Sequence, residues 1–109
     1  MNDGRYEQLA SLLVALESAM RENEIWECEQ PTPTALASQQ PFCVDTMAFE
    51  QWLKFVFINR LQLLITQGSA LPTQCDVAPM AEEAFKSRSL ESVVEVIQRL
   101  DQLLTLRSQ

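Results

Sequence analysis

Apolar side chains recur along this chain at the three- and four-residue spacing that places them on one face of an α-helix. The pattern predicts helices near residues 3–23, 46–67, 79–86 and 89–107, joined by a proline-containing loop at 24–45. Gly68 follows the second of these segments and Pro72 comes soon after it, which indicates a helix end. We therefore expect an all-α fold, a single-domain helical bundle of about four helices that spans residues 1–109.

The predicted helix at 46–67 is the most apolar part of the sequence. Its apolar side chains cover two sides when plotted at about 100° per residue, so we expect neighbouring elements on both sides. The wider apolar face carries a row of large side chains: Phe49, Trp52, Val56 and Phe57. We expect this row to lie in the core, and the alternative is that it forms an exposed apolar groove or a dimer face.

Arg60 interrupts the same face, next to Val56 and Phe57. A guanidinium among apolar side chains needs an opposite charge or a path to solvent. We therefore expect Arg60 to be covered by its neighbours and paired with a carboxylate. Asp101 and Glu17 are the candidates, and Asp45 is disfavoured because about fifteen helical residues at 1.5 Å each separate it from Arg60. The alternative is that Arg60 reaches an open pocket and binds an anion.

The loop before this helix contributes further candidate residues. Asp45 and Thr46 can accept hydrogen bonds from the first turn of the helix, as capping residues do. Phe42 has no such role, and a loop aromatic beside a helix N-terminus can form a pocket for an anion or a peptide carboxylate. The alternative is that Phe42 closes one end of the core. The candidate binding residues are Phe42, Asp45, Thr46 and Arg60.

The charge of the chain restricts its partners. Fifteen acidic and eight basic residues give a net charge of −7, and the basic residues are scattered. Direct contact with nucleic acid is therefore not expected, because it requires clustered cations. The strongest charge bias is an acidic turn formed by Glu22, Glu24, Glu27 and Glu29. We expect a solvated turn, and the alternative is a docking patch for a basic partner.

The sequence offers little catalytic chemistry. Three cysteines stand far apart and no histidine is present, so neither a disulfide framework nor a zinc site is indicated. The absence of histidine also removes the commonest general base. Carboxylate pairs such as Glu82 and Glu83 are expected to face solvent. We therefore predict no catalytic residue, no metal and no cofactor.

The apolar runs are short. None approaches the roughly 20 residues that a transmembrane helix needs, and the polar N-terminal sequence is unlike a secretory signal. We expect a cytoplasmic protein that has no membrane partner.

Several short motifs occur in a fixed order: QPFCVDTM at 40–47, WLKFVFINR at 52–60, LP at 71–72 and VAP at 77–79. In these motifs the chain resembles the YqcC-like family of small bacterial proteins, over nearly its whole length. The resemblance implies an all-helical bundle and assigns no catalytic residue. Members of this family are often encoded beside a tRNA pseudouridine synthase, so the resemblance also implies an accessory role near tRNA modification.

These observations favour a non-enzymatic, cytoplasmic protein-interaction or accessory module. Its expected partner is another protein or a second copy of itself, and the resemblance suggests a tRNA pseudouridine synthase. The alternative is a small-ligand-binding or catalytic module that has a pocket at the start of the central helix.

Overall fold

The computed structural model of the protein describes residues 4–72 and 75–105, apart from the side chain of Pro41. The elements in chain order are α1 (Arg5–Glu22), α2 (Pro33–Leu36), a 3-10 turn (Pro41–Cys43), α3 (Phe49–Trp52), a π-helix (Leu53–Ile58), α4 (Asn59–Gln67), α5 (Ala78–Phe85) and α6 (Glu91–Leu104). These residues contain no β-strand, so the predicted all-α fold is confirmed.

The helix bounds differ from the predicted bounds at several places. The predicted start at residue 3 and end at residue 107 lie outside the described residues. The central helix, which comprises α3, the π-helix and α4, begins at Phe49 and not at residue 46. Its first turn is capped by Gln51, whose Oε1 accepts a hydrogen bond from the Ala48 N–H at 2.8 Å. The prediction that Asp45 and Thr46 cap this helix is therefore wrong.

The core forms where α1 packs along α6, with α5 against α6 and α4 against α1. The buried apolar side chains belong to one cluster, which includes Leu9, Leu13, Leu16, Met20, Leu53, Phe57, Ile58, Leu61, Val93, Ile97, Leu100 and Leu104. Burial of each of these side chains contributes roughly 1.5–3 kcal/mol relative to an exposed position. The spacing of three and four on α1 and α6 follows the predicted stripes.

Gly68 ends the central helix as the sequence predicts. Its backbone has a φ of 66°, which is the left-handed conformation that glycine adopts without a steric cost. The Ser69 N–H bonds to the Leu64 carbonyl at 3.0 Å and the Gly68 N–H to the Ile65 carbonyl at 3.1 Å. This is the arrangement of a Schellman motif, which satisfies the last carbonyl groups of the helix.

The π-helix changes which side chains of the central helix are buried. A π-helix bonds each N–H five residues back, so it places one extra residue in a turn. The side chains after it are consequently rotated by about one residue position, roughly 100°, relative to a straight α-helix. Leu61 is only 2% exposed, whereas Leu63 is 54% exposed. Arg60 is also exposed.

The prediction that Arg60 is covered and held by Glu17 or Asp101 is therefore wrong. Within the described part of the chain, no ion pair involves the Arg60 guanidinium. Glu17 pairs with Arg21, whose Nε lies 2.9 Å from Glu17 Oε2. Asp101 bonds to the backbone at the start of α5. Arg60 still lies next to Val56 and Phe57, but at an edge of the apolar face that remains exposed.

Across the two described segments, no helix combines the length and the apolar character that crossing a bilayer requires.

Candidate binding groove

A groove of about 410 Å³ opens between the central helix, the turn before it and the segment that leads into α5. Its lining residues are Phe42, Trp52, Val56, Phe57, Arg60, Leu61, Pro72, Cys75, Asp76, Val77 and Leu104. Most of this lining is apolar, and the volume lies within the range of sites that receive a ligand or a partner's side chain.

The wall of the groove is aromatic. The Phe42 and Trp52 rings meet edge to face, with centroids 4.9 Å apart and an interplanar angle of 76°. Trp52 in turn stacks on Phe57 at 5.4 Å and 21°. Such ring pairs are favourable beyond the area that they bury, so the wall is held in one arrangement. Phe42 and Trp52 remain half-buried, which leaves their outer surfaces open to the groove.

Two unusual backbone features carry this wall. Phe42 and Cys43 have φ angles of 59° and 50°, a left-handed conformation that is uncommon for residues other than glycine. The π-helix bears Val56 and Phe57 on the same groove. Strained turns and π-helices cost stability and are enriched at functional sites. Both features here fall in the groove, which makes it the leading candidate site.

One side of the groove is fixed by Asp101. Its carboxylate accepts hydrogen bonds from the Val77 N–H at 3.0 Å, the Ala78 N–H at 2.7 Å and the Cys75 thiol at 3.0 Å. The Cys75 N–H also bonds to Thr105 Oγ1 at 3.1 Å, and this hydroxyl donates to the Cys75 carbonyl at 3.0 Å. These bonds hold the segment that precedes α5 against α6.

Burial raises the pKa of the Cys75 thiol to about 12, and the hydrogen bond to Asp101 is the second cause. The thiolate is the reactive form of cysteine, so the raised pKa leaves very little of Cys75 reactive at pH 8. We expect iodoacetamide to modify Cys75 far more slowly in the folded protein than in urea, as measured by mass spectrometry of the Cys75 peptide. Equal rates in the two states would contradict the buried, bonded thiol.

The rim of the groove carries one exposed cation, Arg60, and one exposed anion, Asp76. No ion pair joins them. Of the predicted binding residues, Phe42 and Arg60 thus share one groove. The other two do not line it: the Ser38 hydroxyl donates to Asp45, and the Thr46 hydroxyl donates to the Ala35 carbonyl at 2.8 Å. Thr46 is thus bound to α2, and Asp45 to the loop that follows α2.

The predicted acidic patch lies outside the groove. Glu22, Glu24, Glu27 and Glu29 are all exposed. Glu24 has a φ of 61°, and the next residue, Ile25, is 6% exposed and bonds through its N–H to the Met20 carbonyl at 2.9 Å. The turn is therefore anchored, while its carboxylates face solvent, and docking of a basic partner on it stays a prediction.

Sequence patterns found only part of the groove. Part of the apolar row lies in the core and part of it lines the groove. Phe49 and Phe57 are 8% exposed, whereas Trp52 and Val56 are half-buried on the groove. The sequence did not identify the other lining residues as part of a site: Leu61, Pro72, Cys75, Asp76, Val77 and Leu104. The only signal in the sequence for the segment before α5 was the pair of motifs at its two ends, LP at 71–72 and VAP at 77–79.

The family model described as tRNA pseudouridine synthase C (DUF446) matches residues 8–103 of the chain. A Haemophilus influenzae protein named only as uncharacterised is 37% identical over 92 residues, which covers 84% of this chain and 87% of that protein. The Escherichia coli protein YqcC is 40% identical over 73 residues, 67% of each chain. The solution NMR structure of YqcC matches with a TM-score of 0.79 at 30% identity, covering 96% of this chain and 95% of that one.

A longer relative is named tRNA pseudouridine synthase C, from Pectobacterium carotovorum subsp. carotovorum. It is 33% identical over 84 residues, which is 77% of this chain. The match covers 22% of that protein, so this chain spans about a fifth of its length.

Proposed function

This chain belongs to the YqcC-like family, and from that premise we propose that it is a non-enzymatic accessory protein that docks on a tRNA pseudouridine synthase. The observation that carries the proposal is the half-buried groove, in which Phe42, Trp52 and Val56 present apolar surface to solvent. Pockets walled by rigid aromatic side chains are typical anchor points of protein–protein interfaces, where a few residues supply most of the binding energy.

The charges of the protein favour a protein partner over tRNA itself. Several cations are engaged locally: Lys54 Nζ donates to the Trp26 carbonyl at 2.8 Å, Lys86 pairs with Glu83 at 2.9 Å and Arg88 with Glu50 at 3.3 Å. A net charge of −7 repels a phosphate backbone. An enzyme that acts on tRNA needs a basic surface, and the exposed acidic turn would attract such a surface over a distance.

The choice of a pseudouridine synthase follows from the relatives. In a protein named tRNA pseudouridine synthase C, the region similar to this chain makes up 22% of the length. Most of that protein therefore lies outside the similarity. Joining two modules in one chain raises their effective concentration, which benefits modules that work together. We infer that the separate chain acts beside such a synthase.

The polar groups of the groove do not favour catalysis by the chain itself. The Cys75 thiol donates a hydrogen bond to Asp101, and its pKa of about 12 keeps the thiol protonated at neutral pH. The sequence contains no histidine that could activate a nucleophile.

Changing Val56 to Asp is expected to weaken binding to a purified tRNA pseudouridine synthase by at least about tenfold, because a carboxylate replaces apolar surface in the anchor pocket. Titration calorimetry measures the Kd. Val14→Asp is the matched control, since Val14 is 67% exposed on α1 and outside the groove. Its Kd should match that of the unchanged protein.

Thermal unfolding of both variants shows whether a weaker Kd reflects the groove or a loss of folding. Absence of binding by the unchanged protein at micromolar concentrations would defeat the proposal. Equal Kd values for Val56→Asp and Val14→Asp would place the docking surface elsewhere.

The groove's volume also supports a second function, binding of a small apolar ligand. A ligand at 100 times its Kd stabilises a protein by about 2.7 kcal/mol, which a thermal-shift screen of metabolite pools detects. A shift that Val56→Asp removes would favour this function over docking.

A further inference from the structure

We infer that the groove accepts an apolar segment of the partner synthase that carries a side-chain carboxylate, and that this carboxylate pairs with Arg60. The inference rests on the proposed function and specifies the chemistry of the segment that docks. An apolar side chain of this segment sits on Trp52 and Val56, and its acidic neighbour lies over the rim.

The first observation is the lack of a partner for Arg60. Across residues 4–72 and 75–105, the guanidinium forms no hydrogen bond and no ion pair, although it stands at the edge of an apolar groove. By contrast, Arg21 lies 2.8 Å from Glu17. Arg99 resembles Arg60 in being exposed and without a described partner, but it is outside the groove.

The second observation is how the fold puts the cation there. Val56 lies within the π-helix, Arg60 follows it in α4, and both residues line the groove, so the guanidinium stands at the rim beside the apolar wall. A partner that covers this wall excludes water around Arg60. The attraction between Arg60 and a carboxylate is then stronger than that of a pair on an open surface.

The third observation is the single anion on the rim. Asp76 would repel a carboxylate placed on its side of the groove, whereas Arg60 would attract one on the other side. The two rim charges therefore fix the direction of the segment, with its acidic residue toward Arg60. A basic residue placed beside Trp52 and Val56 would meet Arg60, their neighbour on the central helix, so on this side of the groove the charge favours an acidic residue.

The test compares two arginines that differ only in their place on the fold. The Kd of the full chain for the purified synthase is measured for Arg60→Glu and for Arg99→Glu, which change the net charge equally. We expect about a tenfold weaker Kd for Arg60→Glu and less than about a twofold change for Arg99→Glu. Arg60→Lys should fall between the unchanged protein and Arg60→Glu, because it keeps the charge and loses the planar, bidentate donor group.

These outcomes separate the inference from the proposed function. If Val56→Asp abolishes binding while Arg60→Glu and Arg99→Glu bind alike, docking on the groove stands and the acidic segment is overturned. Tighter binding by Arg60→Glu would also overturn it and would indicate a basic segment. If the unchanged protein does not bind the synthase, the proposed function fails as well.

A cross-link identifies the carboxylate directly. In the Arg60→Lys variant, a water-soluble carbodiimide activates a nearby carboxyl group, and the lysine amine displaces the activating group to form an amide. Mass spectrometry should find a new cross-link from position 60 to an Asp or Glu side chain in an apolar stretch of the synthase. A link to a second copy of this chain or to Asp76, or no new link in the bound complex, would overturn the inference.

Discussion

Replacing Leu53 with alanine is expected to lower the free energy of unfolding by about 2–5 kcal/mol. Leu53 is 0% exposed and belongs to the core cluster at the first position of the π-helix. The substitution removes its buried apolar contacts and leaves a cavity that the neighbouring helices fill only in part. Urea denaturation followed by circular dichroism measures the loss.

Leu63→Ala is the matched control, because it makes the same chemical change on the same central helix. Leu63 is 54% exposed, so its loss should stay within about 0.5 kcal/mol. In a straight α-helix both leucines would lie on the apolar face. The comparison therefore tests the burial that the structure assigns to these two positions, and equal losses for the two variants would contradict it.

Asp101→Ala is expected to lower the free energy of unfolding by about 2–4 kcal/mol, since hydrogen bonds to a charged group contribute roughly 1.5–3 kcal/mol each and are not fully additive. The Val77 and Ala78 N–H groups at the start of α5 lose their acceptor, and so does the Cys75 thiol. Val77 and Ala78 are buried, so water cannot readily replace the carboxylate.

Two further variants show that the effect belongs to these bonds. Asp101→Asn keeps one carbonyl oxygen as an acceptor and should lose less stability than Asp101→Ala. Glu95→Ala removes an exposed carboxylate from the same helix and should change stability by less than about 0.5 kcal/mol. A loss for Asp101→Ala no larger than that for Glu95→Ala would show that the carboxylate does not hold α5.

Cys75 is expected to make the free energy of unfolding fall as the pH rises above neutral. Folding raises the pKa of Cys75 to about 12, so the folded protein favours the protonated thiol. The stability that this thiol contributes is present below its ordinary pKa of about 8.5 and is lost as the pH rises toward 12. Asp101 adds to this rise in the pKa of Cys75, so Asp101→Ala should make Cys75 more reactive toward iodoacetamide in the folded state.

The sequence by itself determined the longer helices and the buried faces of α1 and α6. The stripes of α1 and α6 and the end of the central helix at Gly68 follow from residue spacing and from the conformation that glycine permits. These are local properties, because each depends on residues only three or four positions apart or on one backbone angle. The motifs at 40–47 and 52–60 likewise indicated the family through the order of their residues alone.

Only the tertiary structure decided where the chemistry lies. The residue spacing places Arg60 beside Val56 and Phe57, and the structure agrees, but only the packing of the other elements decides that this edge of the helix stays exposed. Asp101 was expected to hold Arg60, yet it caps α5 from 23 positions away in the chain. The hydrogen bonds of Asp101 set the segment before α5 beside Phe42 and Trp52, and this placement forms the groove. Contacts between residues so far apart in the chain produce no periodic pattern in the sequence.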